Sequence, residues 1–206
     1  MIEKKNFVYF LTGIAAIILV FLSFRNQQVP YTPPKDKKNV SEDKASSTPN
    51  YNFGNIGNLI VNFPSEWIRE VPSSSMRLAQ YKIPNDIGND VELAIFNKIG
   101  GSVEQNLSRW ANQFLQPNGN DSYKKANIDS IFVSGLQITF MNLSGTFVSG
   151  GMMGGATVEY PDYAIHAAIV ELSDEVYYFK MVGPKLAIDN WKVIFRESVI
   201  RIKIAD

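Results

Sequence analysis

The stretch YAIHAAIVELSDEVYYFKMVG, residues 163–183, decides the expected fold. Its two halves, 163–172 and 175–183, are rich in β-branched and aromatic residues, which favour strands. The first half is apolar on both faces, as is typical of a central strand that is covered on both sides. We therefore expect these two segments to lie in the middle of a sheet.

The connection between the two strands predicts how they pair. Only a Ser-Asp dipeptide separates them, so we expect an antiparallel hairpin. Pairing Leu172 with Val176 would place Ala168 opposite Lys180, and both side chains on one face of the sheet. His166 would then be a residue of the sheet.

Other segments predict more strands and two helices. Strand-like patterns occur at 59–63, 78–83, 91–97, 123–128 and 136–143. Ser102 and Gln105 form a capping-box pattern ahead of an apolar stripe that includes Trp110. Pro184 opens a second helix whose stripe includes Trp191. We expect both tryptophans to be buried, in an α+β fold with a largely antiparallel sheet flanked by helices.

Composition excludes several functions. The chain has 20 basic and 20 acidic residues, but residues 51–206 are mildly acidic and lack the basic stripe that nucleic-acid binding requires. There is no cysteine, so disulfides, thiolate metal sites and a cysteine nucleophile are excluded. His166 is the single histidine, and no serine lies in a G-x-S-x-G motif, so a catalytic triad is not expected. We assign no catalytic residue, no metal and no cofactor.

The N-terminus predicts a membrane anchor. Residues 7–24, FVYFLTGIAAIILVFLSF, carry no charge and would span roughly 27 Å as a helix. Lysines precede the run and Arg25 ends it, without the small residues of a cleavage site. We expect residues 1–25 to be an uncleaved signal anchor, a single transmembrane helix in the cytoplasmic (inner) membrane. The positive-inside rule would place the C-terminal domain on the extracytoplasmic, periplasmic side.

A tether is expected between the anchor and the domain. Residues 26–50 are rich in proline and charge and hold few large apolar side chains. Such a segment cannot bury enough surface to offset its ordering entropy, so we predict a disordered linker. The globular domain would then occupy residues 51–206.

Several pieces of the domain together resemble a known family. They are NFPSEWIREVPSSSMRLAQYKIP, ELAIFN, GGSVEQNLSRWANQF, SGTF, GGMMGG and YYFKMVGP. Over nearly all of residues 57–200 the chain resembles an uncharacterised family of bacterial exported proteins and lipoproteins. That family is similar to the PsbP-type fold, an α-β-α sandwich also used by a Ran-binding nuclear import factor. The resemblance implies that fold and a role in binding or assembling other proteins, with a membrane helix in place of the relatives' lipidated cysteine.

The family-like pieces contain the candidate ligand-binding residues. These are Ser74, Arg77, Asn106, Arg109 and Lys180. One interpretation is a set of solvated or salt-bridged surface positions. The other is an anion or carboxylate pocket, expected on one face of the domain, that uses the planar fork of arginine. Ser73–Ser75 is interpreted first as a turn and second as a ligand contact.

The GGMMGG segment, 150–155, is the expected flexible rim of that face. Its rim residues are Gly151, Met152, Met153 and Gly154. It is either a mobile hairpin loop or an adaptable apolar contact with a partner protein or the membrane surface.

The function expected from these features is binding. We predict a membrane-anchored, extracytoplasmic domain without catalytic machinery that binds a protein partner or a small ligand. The alternative is a cell-envelope enzyme that holds an anionic substrate through Arg77, Arg109 and Lys180.

Overall fold

The computed structural model describes residues 50–86, 88–150 and 156–205. The predicted anchor (1–25), the predicted tether up to residue 49 and the rim residues 151–154 lie outside the described residues. Within the described part of the chain, no helix combines the length and apolar character needed to cross a membrane.

In the described residues, two antiparallel sheets and three α-helices form the domain. The large sheet has the order β3-β4-β5-β10-β9-β8-β6, and β7 also pairs with β8. Its strands are β3 (Ile68–Glu70), β4 (Ala79–Ile83), β5 (Val91–Phe96), β6 (Phe114–Leu115), β7 (Asn127–Val133), β8 (Leu136–Gly150), β9 (Thr157–Glu171) and β10 (Val176–Pro184). The small sheet has β2 (Leu59–Pro64) between β1 (Tyr51–Ile56) and β11 (Lys203–Ile204). The helices are α1 (Val103–Ala111), α2 (Ser122–Lys125) and α3 (Lys185–Ile200).

This architecture confirms the predicted α+β class with a largely antiparallel sheet, and β9 and β10 are central. One predicted strand, 123–128, is wrong in its first half. Asp121 caps the short helix α2 by accepting the backbone N–H groups of Tyr123 and Lys124, and β7 begins only at Asn127. A capped turn satisfies donors that a strand would have paired across the sheet.

The large sheet separates two apolar cores. On one face, which we call the α3 face, Tyr177, Phe179 and Met181 of β10 pack with α3 and the small sheet. On the other, the α1 face, Tyr178 packs with Trp110 of α1. Alternate residues of β10 therefore point to different cores, as the two-residue period of a strand requires.

The β9–β10 hairpin has a register one residue away from the predicted one. Val176 pairs with Glu171, and Lys180 lies opposite Ala167. The N–H of Leu172 donates to the carbonyl of Glu175 at 2.8 Å, so the loop takes one more residue than predicted. Because a one-residue shift exchanges faces, Lys180 and Ala168 point to opposite sides of the sheet.

The helix predictions are right for α1 and partly wrong for α3. Ser102 and Gln105 form the predicted capping box, with N···O distances of 3.2 and 2.9 Å. Trp110 is buried, as expected. Trp191 is only partly buried, because Trp67 and Phe195 fill the core beside it and Trp191 meets the edge of Trp67.

Candidate functional site

The serine cluster forms a turn that leads into β4. The hydroxyl of Ser74 accepts the N–H of Met76 at 3.2 Å, and its carbonyl accepts the N–H of Arg77 at 3.0 Å. Ser74 is exposed. The hydroxyl of Ser74 therefore stabilises the turn through a backbone N–H group, and the turn precedes Arg77 directly.

Arg77 is held by a polar network on the α1 face. Its guanidinium donates to Gln80 Oε1 at 2.7 Å and lies 2.8 Å from a carboxylate oxygen of Glu92. Gln80 is buried, and its amide also accepts the N–H of Ser73 and donates to Glu70. A buried amide with both ends bonded fixes its neighbours, so Arg77 has a defined position.

Lys180 is a cation in the middle of β10. Its neighbours across the sheet are Ala94 and Ala167, whose small side chains leave space above the strands. The ammonium donates to Gln113 Oε1 at 2.5 Å and lies 5.6 Å from the ring centroid of Phe147. Loss of hydration lowers the pKa of Lys180 to about 8.

The strand pairing places Lys180 on the same face of the sheet as Gln80, the hydrogen-bond partner of Arg77. Gln80 of β4, Ala94 of β5 and Lys180 of β10 form one row across the sheet. Besides the larger effect of burial, the negative charge of Glu92 raises the pKa of Lys180 and the positive charge of Arg77 lowers it. We call this surface, made of Arg77, Gln80, Glu92, Lys180 and Gln113, the lysine face.

Arg109 and Asn106 do not join the lysine face through their hydrogen bonds. Arg109 is exposed and donates to the carbonyl of Gly100 at 3.2 Å. Asn106 was expected among the ligand-binding residues, but it is fully buried, and its amide donates to the carbonyl of Ser102 at 2.9 Å. Both side chains bond carbonyls just before α1, so Asn106 has a structural task.

The arms of the β8–β9 hairpin add aromatic rings beside Lys180. The ring of Phe147 stacks on Tyr163 with centroids 6.2 Å apart, and Tyr160 lies 5.0 Å from Tyr163. The hydroxyl of Tyr163 accepts a hydrogen bond from Asn89 at 2.7 Å. This gives the lysine face an aromatic border.

His166 lies on the opposite side of the sheet. It is buried against the face of Phe140 and the edge of Phe195, with centroid distances of 6.3 and 5.2 Å. Burial, together with the smaller effect of the charge of Arg196, lowers the pKa of His166 to about 4. Within the described residues neither ring nitrogen has a hydrogen-bond partner, so no serine is activated by it there.

The comparisons with known proteins give a fold likeness. The chain is similar to cyanobacterial PsbP (CyanoP) from Synechocystis sp. PCC 6803. The match to that solution structure has a TM-score of 0.49 and 10% identity, and covers 80% of this chain and 98% of that one. No protein-family model matches the chain, and no curated protein matches it. At this level the likeness carries no conclusion about binding or activity.

Sequence reasoning missed several residues of the site. Gln80, Glu92, Gln113 and Phe147 all contact Arg77 or Lys180. Gln80 and Glu92 alternate with apolar residues in their strands, which indicates their shared face once the register is known. Gln113 and Phe147 are brought in by long-range packing that no local pattern reveals.

Proposed function

We propose that this protein is a membrane-tethered, extracytoplasmic binding domain with a PsbP-type α-β-α sandwich, and that the lysine face contacts its ligand or partner. The charge-free run 7–24 supports the anchor. The resemblance to exported bacterial proteins supports the location outside the cytoplasm. Catalytic machinery is not part of the proposal, because His166 is enclosed in the opposite core.

The observation that carries this proposal is the bonding of Lys180. Its ammonium is largely desolvated, yet its hydrogen bond goes to a neutral amide, and within the described residues it forms no salt bridge. An ammonium group has three donors, and removing it from water is costly unless it is paired. A carboxylate or another anion of a ligand would supply the missing partner.

Arg77 would extend the same contact. Its guanidinium is ordered by Gln80 but shares a carboxylate, Glu92, that is itself about half exposed. An anion that bridges Arg77 and Lys180 would accept hydrogen bonds from the planar guanidinium, which Gln80 holds in place, and from the desolvated ammonium group. The enzyme alternative is less well supported, because it needs Arg109 in the same set, and the guanidinium of Arg109 is directed to Gly100.

The test is a thermal-shift screen on the full-length chain in mild detergent. The probes are acetate, benzoate, dicarboxylates and inorganic phosphate, because a ligand that binds the folded state raises Tm. For any probe that does so, Arg77→Ala should weaken binding by about 1–3 kcal/mol, whereas Lys203→Ala on β11 should not. An equal loss of probe affinity in Arg77→Ala and Lys203→Ala would contradict the proposal.

The anchor is tested separately. The full-length chain should stay in the membrane fraction after a carbonate wash, at its uncleaved size. Recovery of a mature form that begins near residue 26 would contradict the anchor and leave the lysine face untouched.

A further inference from the structure

Strand β7 forms an open edge of the large sheet. It pairs with β8 along its whole length, from Asn127 with Asn142 to Val133 with Leu136. Its other side pairs with no strand within the described residues. A tight turn at Ser134-Gly135, with positive φ at both residues, fixes this hairpin as a two-residue loop.

This edge lacks the usual protection. Exposed edges are normally short or charged, because their free N–H and C=O groups can pair with another chain. The opposite edge, β3, fits that rule: it has three residues, of which Arg69 and Glu70 are charged. Strand β7 has seven residues and a single charge, Asp129, which Arg196 of the same chain binds with two hydrogen bonds of 2.6 and 3.2 Å.

Strand β7 exposes two large apolar side chains. Phe132 is 73% exposed and Ile128 is 38% exposed. Ile128, Ser130 and Phe132 alternate along the strand and therefore share one face. An open edge with such side chains requires a partner or is an aggregation hazard.

The sequence of β7 is complementary to itself. If two copies pair antiparallel about Ser130, Ile128 of each lies opposite Phe132 of the other, and each Asp129 lies opposite Ile131. Aromatic and β-branched cross-strand pairs are favourable, and no like charges face each other. The two α2 helices, with Lys124 and Lys125, fall at opposite ends of the pair, because each precedes its own β7.

We propose that a second copy of this chain pairs with β7 and continues the large sheet across a two-fold axis. Such an interface is isologous: the same strand contributes the same residues from both copies. It does not depend on the lysine face, which lies across β4, β5 and β10, toward the other edge of the sheet. A single strand pair is a small interface, so we expect association at concentrations on the order of micromolar.

A concentration series tests the dimer. The full-length chain in mild detergent is followed by analytical ultracentrifugation, and Phe132→Lys is compared with Phe53→Lys. Phe53→Lys is a matched control, because Phe53 is 78% exposed on β1, an edge strand of the small sheet, and the same side chain is replaced. We expect the wild type and Phe53→Lys to dimerise and Phe132→Lys to stay monomeric, with unchanged circular dichroism. A monomeric wild type throughout the series, or a dimeric Phe132→Lys, would overturn the proposal.

A cross-link tests the register. The chain has no cysteine, so Ser130→Cys introduces a single thiol. In the proposed pairing this residue lies opposite its own copy, where Cα atoms about 4.5–5.5 Å apart permit a disulfide. Mild oxidation with copper phenanthroline should give a covalent dimer from Ser130→Cys and not from Phe53→Cys. A covalent dimer from Phe53→Cys alone would contradict pairing through β7 and would indicate that the copies pair through the edge strand β1.

Discussion

Lys180 and His166 occupy neighbouring positions in the sheet and meet opposite environments. Lys180 lies across from Ala167, and His166 lies across from Met181, the next pair along the hairpin. Lys180 points to the α1 face and His166 to the α3 face. Burial lowers the pKa of both, to about 8 for the lysine and to about 4 for the histidine.

The two residues respond to burial differently, and the difference separates structure from function. With a pKa of about 4, His166 is neutral at pH 7 and packs between Phe140 and Phe195 as an aromatic ring. Lys180 keeps its charge at pH 7 and has Gln113 as its hydrogen-bond partner. A closed core accepts a titratable group in its neutral form, whereas a retained charge indicates a face prepared for an anion.

The largest expected effect is the loss of stability when a tryptophan is truncated in α1 or in α3, the helices that cover the two faces. Trp110→Ala should reduce the free energy of unfolding by about 3–5 kcal/mol, because it removes a buried ring from the α1 core. Trp191→Ala should cost clearly less, since that ring is partly in solvent. Urea unfolding of both variants checks this, and equal losses would mean that the α3 core depends on Trp191 after all.

Acid should weaken the α3 face through His166. In the unfolded chain His166 binds a proton near pH 6.5, but in the folded chain only near pH 4. The unfolded state therefore binds more protons between these values, and stability falls by about 3 kcal/mol as the pH drops from 6.5 to 4. Arg196 and Lys192 of α3 oppose the protonation and Asp129 of β7 favours it.

His166→Leu isolates this effect. Protonation of carboxylates such as Asp189, whose pKa is lowered by Lys185 and Lys192, also destabilises the protein in acid. The difference between wild type and variant should therefore change over this pH range and stay constant above it. Parallel pH profiles would show that His166 is not desolvated.

Removal of the Lys180 charge should stabilise the protein, in contrast to the tryptophan truncations. Lys180→Met should raise the free energy of unfolding at pH 7 by about 1–3 kcal/mol, because it removes a desolvated charge and keeps an apolar stem. In the wild type, stability should rise between pH 8 and 10.5, where the unfolded chain still holds the proton that the folded lysine has lost. Lys82→Met is the matched control: Lys82 is on the same face but bonds Asp90, so it should give no gain. A destabilised Lys180→Met would mean that Lys180 is structural.

Local patterns predicted much of this fold but little of the site. Runs of β-branched and aromatic residues identified the central strands, and the capping box of Ser102 and Gln105 located α1. The hairpin register was missed because Leu172 belongs to the loop, which places Lys180 opposite Ala167 instead of Ala168. The burial of Asn106 was missed because its partners are backbone carbonyls, which a sequence does not display.

The most direct measurement of the central claim is the pKa of the Lys180 amine in the folded protein. Lysines of the full-length chain can be labelled by 13C-methylation and titrated by NMR, with Lys180→Arg to assign the signal and Lys82 as the internal control. We predict that Lys180 titrates near pH 8, whereas the pKa of Lys82 is raised above its usual 10.5 by Asp90. A Lys180 that titrates together with the exposed lysines would contradict the account, because it would not be a desolvated cation awaiting an anionic partner.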